Sequence, residues 1–192
     1  MIIAVDGPTA SGKGTIAAGI AARYGLKRLD TGALYRAVGL AVLDAGGDPG
    51  DEAAAVAAAH ALNLTAIDEH RIRSSSAGLA ASKVAALPAV RAVLREAQRA
   101  FAADPAGAVL DGRDIGTAVF PEADVKFYVD ADVRHRAERR RAELEAAGAA
   151  ADLSAIEAEI RAREPEVAEA LEVRERERAE ARRGEVVGKV AF

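Results

Sequence analysis

Gly7-Pro8-Thr9-Ala10-Ser11-Gly12-Lys13-Gly14-Thr15 has the form G-x-x-x-x-G-K-G-T. Upstream, Ile2 to Val5 is a short apolar run stopped by Asp6-Gly7, the pattern of a buried strand. Downstream, Lys13 to Tyr24 carries Ile16, Ile20 and Ala21 at helical spacing. A glycine-rich loop between a buried strand and a helix suits phosphate. Glycine lets backbone N–H groups turn inward without Cβ clashes, and the helix contributes the positive end of its dipole. The pattern predicts that Gly7 to Thr15 holds the phosphates of a nucleoside triphosphate, with Lys13 on the outer phosphates and Thr15 on magnesium or phosphate. The general motif places Ser or Thr directly after the lysine; here Gly14 stands there and Thr15 follows.

Beyond this loop, strand and helix patterns alternate. Leu26 to Leu29 reads as a strand, Ala33 to Ala45 and Ala53 to Leu62 as helices, and Gly46 to Gly50 as a breaker between them. Asn63 to Ser76 reads as a polar loop with a little strand. Ala77 to Ala103 reads as helix interrupted at Leu87-Pro88, because the residue before proline disfavours the helical region. Ala108 to Leu110 and Val125 to Val129 are further apolar strands. Ala131 to Arg183 has a strongly helical composition, broken near Gly148. Val186 to Phe192 is a short apolar end, strand or helix terminus. This alternation predicts an α/β fold: a parallel sheet of four to five strands with helices on both faces. The 192 residues suit a single domain.

Composition narrows the function. The net charge of −4, with both signs interspersed, argues against a nucleic-acid groove spread over one face. With no cysteine, disulfides and thiolate metal sites are excluded. Neither a signal peptide nor an apolar run of membrane-spanning length is visible, so a cytoplasmic protein without membrane or nucleic-acid partners is expected. His60, His70 and His135 are scattered and form no metal-ligand pattern. No N-K-x-D base-reading motif is present, which argues against a GTPase. Phosphoryl transfer between small molecules needs cations on donor and acceptor phosphates alike. The candidates outside the loop are Arg36, Arg91, Arg113, Arg136 and Arg140. Arg36 and Arg113 follow strand ends, where open parallel sheets bind ligands. Arg136 and Arg140 share one helix face.

At these residues the chain resembles the bacterial cytidylate kinase family. Leu29-Asp30-Thr31-Gly32-Ala33-Leu34-Tyr35-Arg36, Ala80-Ala81-Ser82-Lys83-Val84-Ala85 and Leu110-Asp111-Gly112-Arg113-Asp114-Ile115-Gly116-Thr117 carry the likeness, together with Phe120-Pro121 and Asp124 to Phe127. It runs from residue 1 to about residue 163. The resemblance implies transfer of a phosphoryl group from ATP, with Mg²⁺, to CMP or dCMP by a monomer. It implies a monophosphate-binding segment over 33–101 and a lid over about 131–165. Arg36 and Arg113 would grip the CMP phosphate, while Ser82, Arg91 and Asp114 would read the cytosine edge. Thr31 would join the CMP site, and Lys13, Arg136, Arg140 and Arg163 the transfer itself. A carboxylate suits the amino donor of cytosine, and arginine and hydroxyl suit its acceptors.

The tail departs from the family. After Ile160-Arg161-Ala162-Arg163, Val167 stands where the family has Asp and Ala170 where it has Arg. Residues 166 to 183 read instead as a charged helix. With that pair absent, weak CMP binding and poor discrimination between CMP and dCMP are expected. Two other readings fit the residues: a nucleotide-binding protein with little transfer activity, and another nucleoside monophosphate kinase.

Overall fold

In the computed structural model the described residues are 1–146, 148, 150–162 and 187–191, the last by backbone alone. Among them the strands are β1 (Ile2–Asp6), β2 (Lys27–Asp30), β3 (Ala108–Gly112), β4 (Val125–Asp130) and β5 (Val187–Ala191). They form one five-stranded sheet in the order β2-β3-β1-β4-β5. β1 pairs in parallel with β3 on one side and β4 on the other, and β5 runs parallel to β4. The chain therefore leaves β1 in one direction for β2 and β3, then crosses to the other side for β4 and β5. The reversal falls beside β1, the place where such sheets open a crevice beyond the carboxyl ends of their strands. The short apolar end, left open in the sequence between strand and helix terminus, is the edge strand β5.

The chain divides into two compact units, Met1–Leu29 with Ala102–Phe192, and Asp30–Phe101. In the first, α1 (Lys13–Tyr24) lies on the sheet. Ile3, Val5, Val109 and Val129 project from alternate strand positions onto Ala17 and Ala21, with Ile16, Ile20 and Phe127 packed around them. The small alanines let helix and sheet approach closely. α1 ends at Gly25, whose φ of 65° is the left-handed C-cap that glycine adopts without Cβ strain. α6 (Val133–Ala146) and α7 (Leu153–Ala162) form a separate small core from Ala137, Ile156 and Ile160. Gly148, at φ 79°, lies between these two helices at the break expected from composition.

The second unit is helical: α2 (Thr31–Asp44), α3 (Glu52–His60), α4 (Ser75–Ala85) and α5 (Pro88–Ala102). Asp30, Asp51 and Ser74 cap α2, α3 and α4 by accepting from first-turn amides. Pro88 opens α5, bent by 102° from α4. The strand expected within Asn63 to Ser76 is absent. That stretch holds two 3-10 turns, Leu64–Ala66 and Arg71–Arg73, the first capped by Asn63. Asx-type side-chain bonds at Asn63 and Asp68 offer the backbone a turn in place of a ladder. On the surface of this unit Arg71 donates to Asp44 at 2.7 Å and holds that carboxyl below its ordinary range. Asp48 is held low first by the Gly50 amide and then by Lys83. No single helix among the described residues is long and apolar enough to cross a membrane.

Candidate active site

The phosphate loop leaves β1 at Asp6, and each turn of it has a local cause. Gly7 N–H donates to the Gly112 carbonyl at 3.2 Å, fastening the start of the loop to the end of β3. A Cβ on Gly7 would collide with the backbone carbonyl of Val129, so only glycine fits between the ends of β3 and β4. Ala10 stands at φ 60° and Gly12 at φ 94°, two left-handed residues that curl the loop over the helix end. For Ala10 this conformation costs about 1 kcal/mol, a strain typical of functional turns. The Gly12 carbonyl starts α1 by accepting from Thr15 and Ile16. The remaining first-turn amides of a helix lack intrahelical acceptors and are donors for an anion. Lys13 Nζ lies 3.2 Å from the Pro8 carbonyl, folded back over the loop.

Further cations reach the loop from distant parts of the same unit. Arg113, directly after β3, donates to Thr9 Oγ1 at 3.1 Å. Arg139, on α6, donates to the Ser11 carbonyl at 2.9 Å and also flanks Gly12. Arg28, on β2, pairs with Asp111 at 3.0 Å. Behind the loop, the fully buried Asp6 accepts from the amides of Ile115 and Gly116 at 2.8 and 2.9 Å. Those amides open a single π-helical turn, Ile115–Val119, which follows Arg113 and Asp114 directly. Asp6 thus ties the end of β1 to the segment that presents Arg113.

The expected residues fall in both units. Pro8, Thr9, Ala10, Ser11, Gly14 and Thr15 build the loop with the glycines and Lys13. Asp114 is half-buried, and its carbonyl accepts from Ala118 and Val119 while its side chain does not cap the π-turn. In the helical unit, Thr31 is the buried first residue of α2, and Arg36 Nη2 bonds Asp30 Oδ2 at 2.8 Å. Ser82 Oγ donates to the Gly78 carbonyl one helical turn back at 3.3 Å. Arg91 is half-buried on α5. Arg136 and Arg140 do share a stretch of α6 but meet different surroundings. Arg136 is 4% exposed and its Nε donates to the Ala131 carbonyl, whereas Arg140 pairs with Glu143. The α6 arginine that meets the loop is Arg139, which helical spacing alone did not single out. Arg28, Asp6 and Asp111 were also missed. Asp6 and Asp111 carry a signal: each is a carboxylate closing a buried strand in front of glycine. Arg163, Val167, Ala170 and the helix expected over 166 to 183 lie outside the described residues.

The family model described as Cytidylate kinase matches residues 3–175. A cytidylate kinase of Methylobacterium sp. (strain 4-46) is 56% identical over 160 residues, covering 83% of this chain and 76% of that protein. One of Afipia carboxidovorans is 54% identical over 160 residues, again 83% of this chain and 77% of that protein. One of Bradyrhizobium sp. (strain ORS 278) is 55% identical over 164 residues, or 85% and 77% of the two chains.

Proposed function

The chain belongs to the cytidylate kinase family, and from that premise we propose that it moves the terminal phosphoryl group of ATP onto the phosphate of CMP or dCMP, releasing ADP and the diphosphate. The observation that carries this reading is the loop Gly7 to Thr15, with Lys13, Arg113 and Arg139 all bonded to it. Phosphoryl transfer is catalysed mainly by positioning and by cations on the transferring oxygens. Lys13 and the first-turn amides of α1 take the β and γ phosphates, and Arg139 closes on them from α6. Arg140 adds charge from the same helix, and the buried Arg136 holds the start of α6 against Ala131. Arg163 is assigned to the transferring phosphate by the resemblance alone.

For the acceptor, Arg113 and Arg36 bind the CMP phosphate. The resemblance assigns Asp114 to the cytosine amino group, Arg91 and Ser82 to the ring acceptors, and Thr31 to CMP binding. No general base is needed, because the attacking oxygen is already an anionic phosphate. The residues also fit Mg²⁺. That ion takes one or two protein oxygens and completes its shell with water and phosphate. The Thr15 hydroxyl and the Asp111 carboxylate are hard oxygen donors, and Asp111 Oδ2 comes 3.6 Å from the position of a Cβ on Gly14. When bound with ATP, the ion neutralises oxygens of the β and γ phosphates.

A coupled assay of ADP release with CMP, dCMP, UMP and AMP tests the proposal. CMP and dCMP are expected to be used with similar efficiency, since Val167 and Ala170 offer no bond to a ribose hydroxyl. Tight ATP binding without CMP-dependent ADP release would overturn it.

A further inference from the structure

This inference rests on the loop being the triphosphate site. Arg28 and Asp111 are 83 residues apart in sequence and meet beside that loop. Arg28 Nε and Nη2 both stand 3.0 Å from Asp111 Oδ1. The carboxylate is 3% exposed and the arginine side chain 35%. The other oxygen, Oδ2, faces the first turn of α1, 3.6 Å from where a Gly14 Cβ would stand, and Arg28 Nη2 is 3.1 Å from the same point. Gly14 occupies the place where the general motif has Ser or Thr. A side chain there would press on the guanidinium, so the unusual glycine and the ion pair go together.

We propose that Arg28 is a positioning residue for nucleotide binding: through Oδ1 it fixes the Asp111 carboxylate, and with its charge it lets a buried anion stand beside the triphosphate without repelling it. An uncompensated carboxylate at this depth would oppose any anionic ligand. The effect scales with the ligand's charge. ATP without metal carries more negative charge than its magnesium complex, so it depends more strongly on Arg28. Removing Arg28's charge therefore weakens metal-free binding more than magnesium-bound binding. Removing Asp111's charge acts in the opposite sense. A pair that only held the fold together would weaken both forms alike, in the same direction for either partner.

Calorimetry with a non-hydrolysable ATP analogue tests this, in excess Mg²⁺ and in EDTA. The readout is the ratio of the metal-free to the magnesium Kd. In Arg28→Met the ratio rises about tenfold; in Arg28→Lys it stays near wild type; in Asp111→Asn it falls. The double variant Arg28→Met with Asp111→Asn returns towards the wild-type ratio. An unchanged ratio in Arg28→Met, or shifts of the same sign for both partners, overturns the proposal. Should Arg28→Met not fold, Asp111→Asn in EDTA decides the matter, because magnesium ligation plays no part there: a metal-free Kd that does not fall overturns it. Failure of the wild-type protein to bind the analogue in either condition would instead refute the reading of the loop itself.

Discussion

Asp6→Asn keeps the shape of a side chain that is 0% exposed and removes its charge. Asp6 Oδ1 accepts from Ile115 N–H at 2.8 Å and Oδ2 from Gly116 N–H at 2.9 Å. Asparagine has one acceptor oxygen, so its NH2 must face one of those amides. A hydrogen bond to a charged group contributes about 1.5–3 kcal/mol, and one of the two is lost outright. The other drops to a neutral bond, a further loss of about 1 kcal/mol. Relief from burying the charge offsets part of this, leaving a destabilisation of about 2–4 kcal/mol. For a chain of this size Tm then falls by roughly 5–12 °C. The affected turn directly follows Arg113 and Asp114, so kcat/KM for CMP should fall more than the affinity for ATP. Thermal unfolding followed by circular dichroism gives the first number, and steady-state kinetics with CMP varied give the second. A Tm within about 2 °C of wild type would refute the argument, because it would mean that both amides find other acceptors at no cost.

Three further outcomes follow from the site. Lys13→Ala should lower kcat by about a hundredfold or more without a matching fall in Tm; retention of about a tenth of the activity would contradict the role given to the lysine. Asp114→Ala should impair use of CMP far more than ATP binding, and UMP, with a carbonyl in place of the amino group, should be a poor acceptor because it leaves the carboxylate unmatched; unchanged CMP kinetics would make Asp114 structural. Arg139→Gln should reduce kcat about tenfold or more, whereas Arg141→Gln, its neighbour paired with Glu145, should have little effect; equal losses would mean that α6 contributes only general charge.

The parts of the fold that were legible in the sequence are those decided by local chemistry. The loop is fixed by glycine spacing, and α1 begins and ends at the residues expected, Lys13 and Tyr24. The break at Leu87-Pro88 follows from a single proline. The strands β1, β3 and β4 are short apolar runs that stop at Asp-Gly, Asp-Gly and Asp. What was not legible depends on how distant segments meet. Spacing puts Arg136 and Arg140 on one face of α6, but it does not say which way that helix turns. The α6–α7 core buries Ala137 and Ile160, and with α6 so oriented Arg136 is turned inward and Arg139 reaches Ser11. Arg28 lies within the run read only as a strand; its pairing with Asp111 depends on the meeting of β2 with β3. The π-turn after Asp114 is equally non-local, because Asp6, on another strand, supplies the acceptor for its first amides.

These non-local contacts share a consequence for catalysis. The loop carries a strained alanine and a steric constraint at Gly7, so it needs outside support to keep its shape. Gly112 supplies that support at the first residue, Arg113 at Thr9 and Arg139 at Ser11. Two of the three supports are cations assigned to phosphate binding. At Ser11 the acceptor is a neutral carbonyl, and a bond of that kind contributes only about 0.5–1.5 kcal/mol net. On the proposed reading a triphosphate would offer the Arg139 guanidinium a charged acceptor in exchange, and the arginine would move from holding the loop to holding the ligand at little cost. The helix that carries Arg139 would then be coupled to the occupancy of the loop. Arg36 is held differently. Its partner is the Asp30 carboxylate, which also caps α2 through Oδ1, and on the proposed assignment a CMP phosphate would have to compete with a charge already in place. Arg139 would leave a neutral carbonyl for a donor phosphate, whereas Arg36 would have to leave a carboxylate for the acceptor phosphate. On these energetics ATP binding should be less dependent on the acceptor than CMP binding is on Arg36 leaving Asp30.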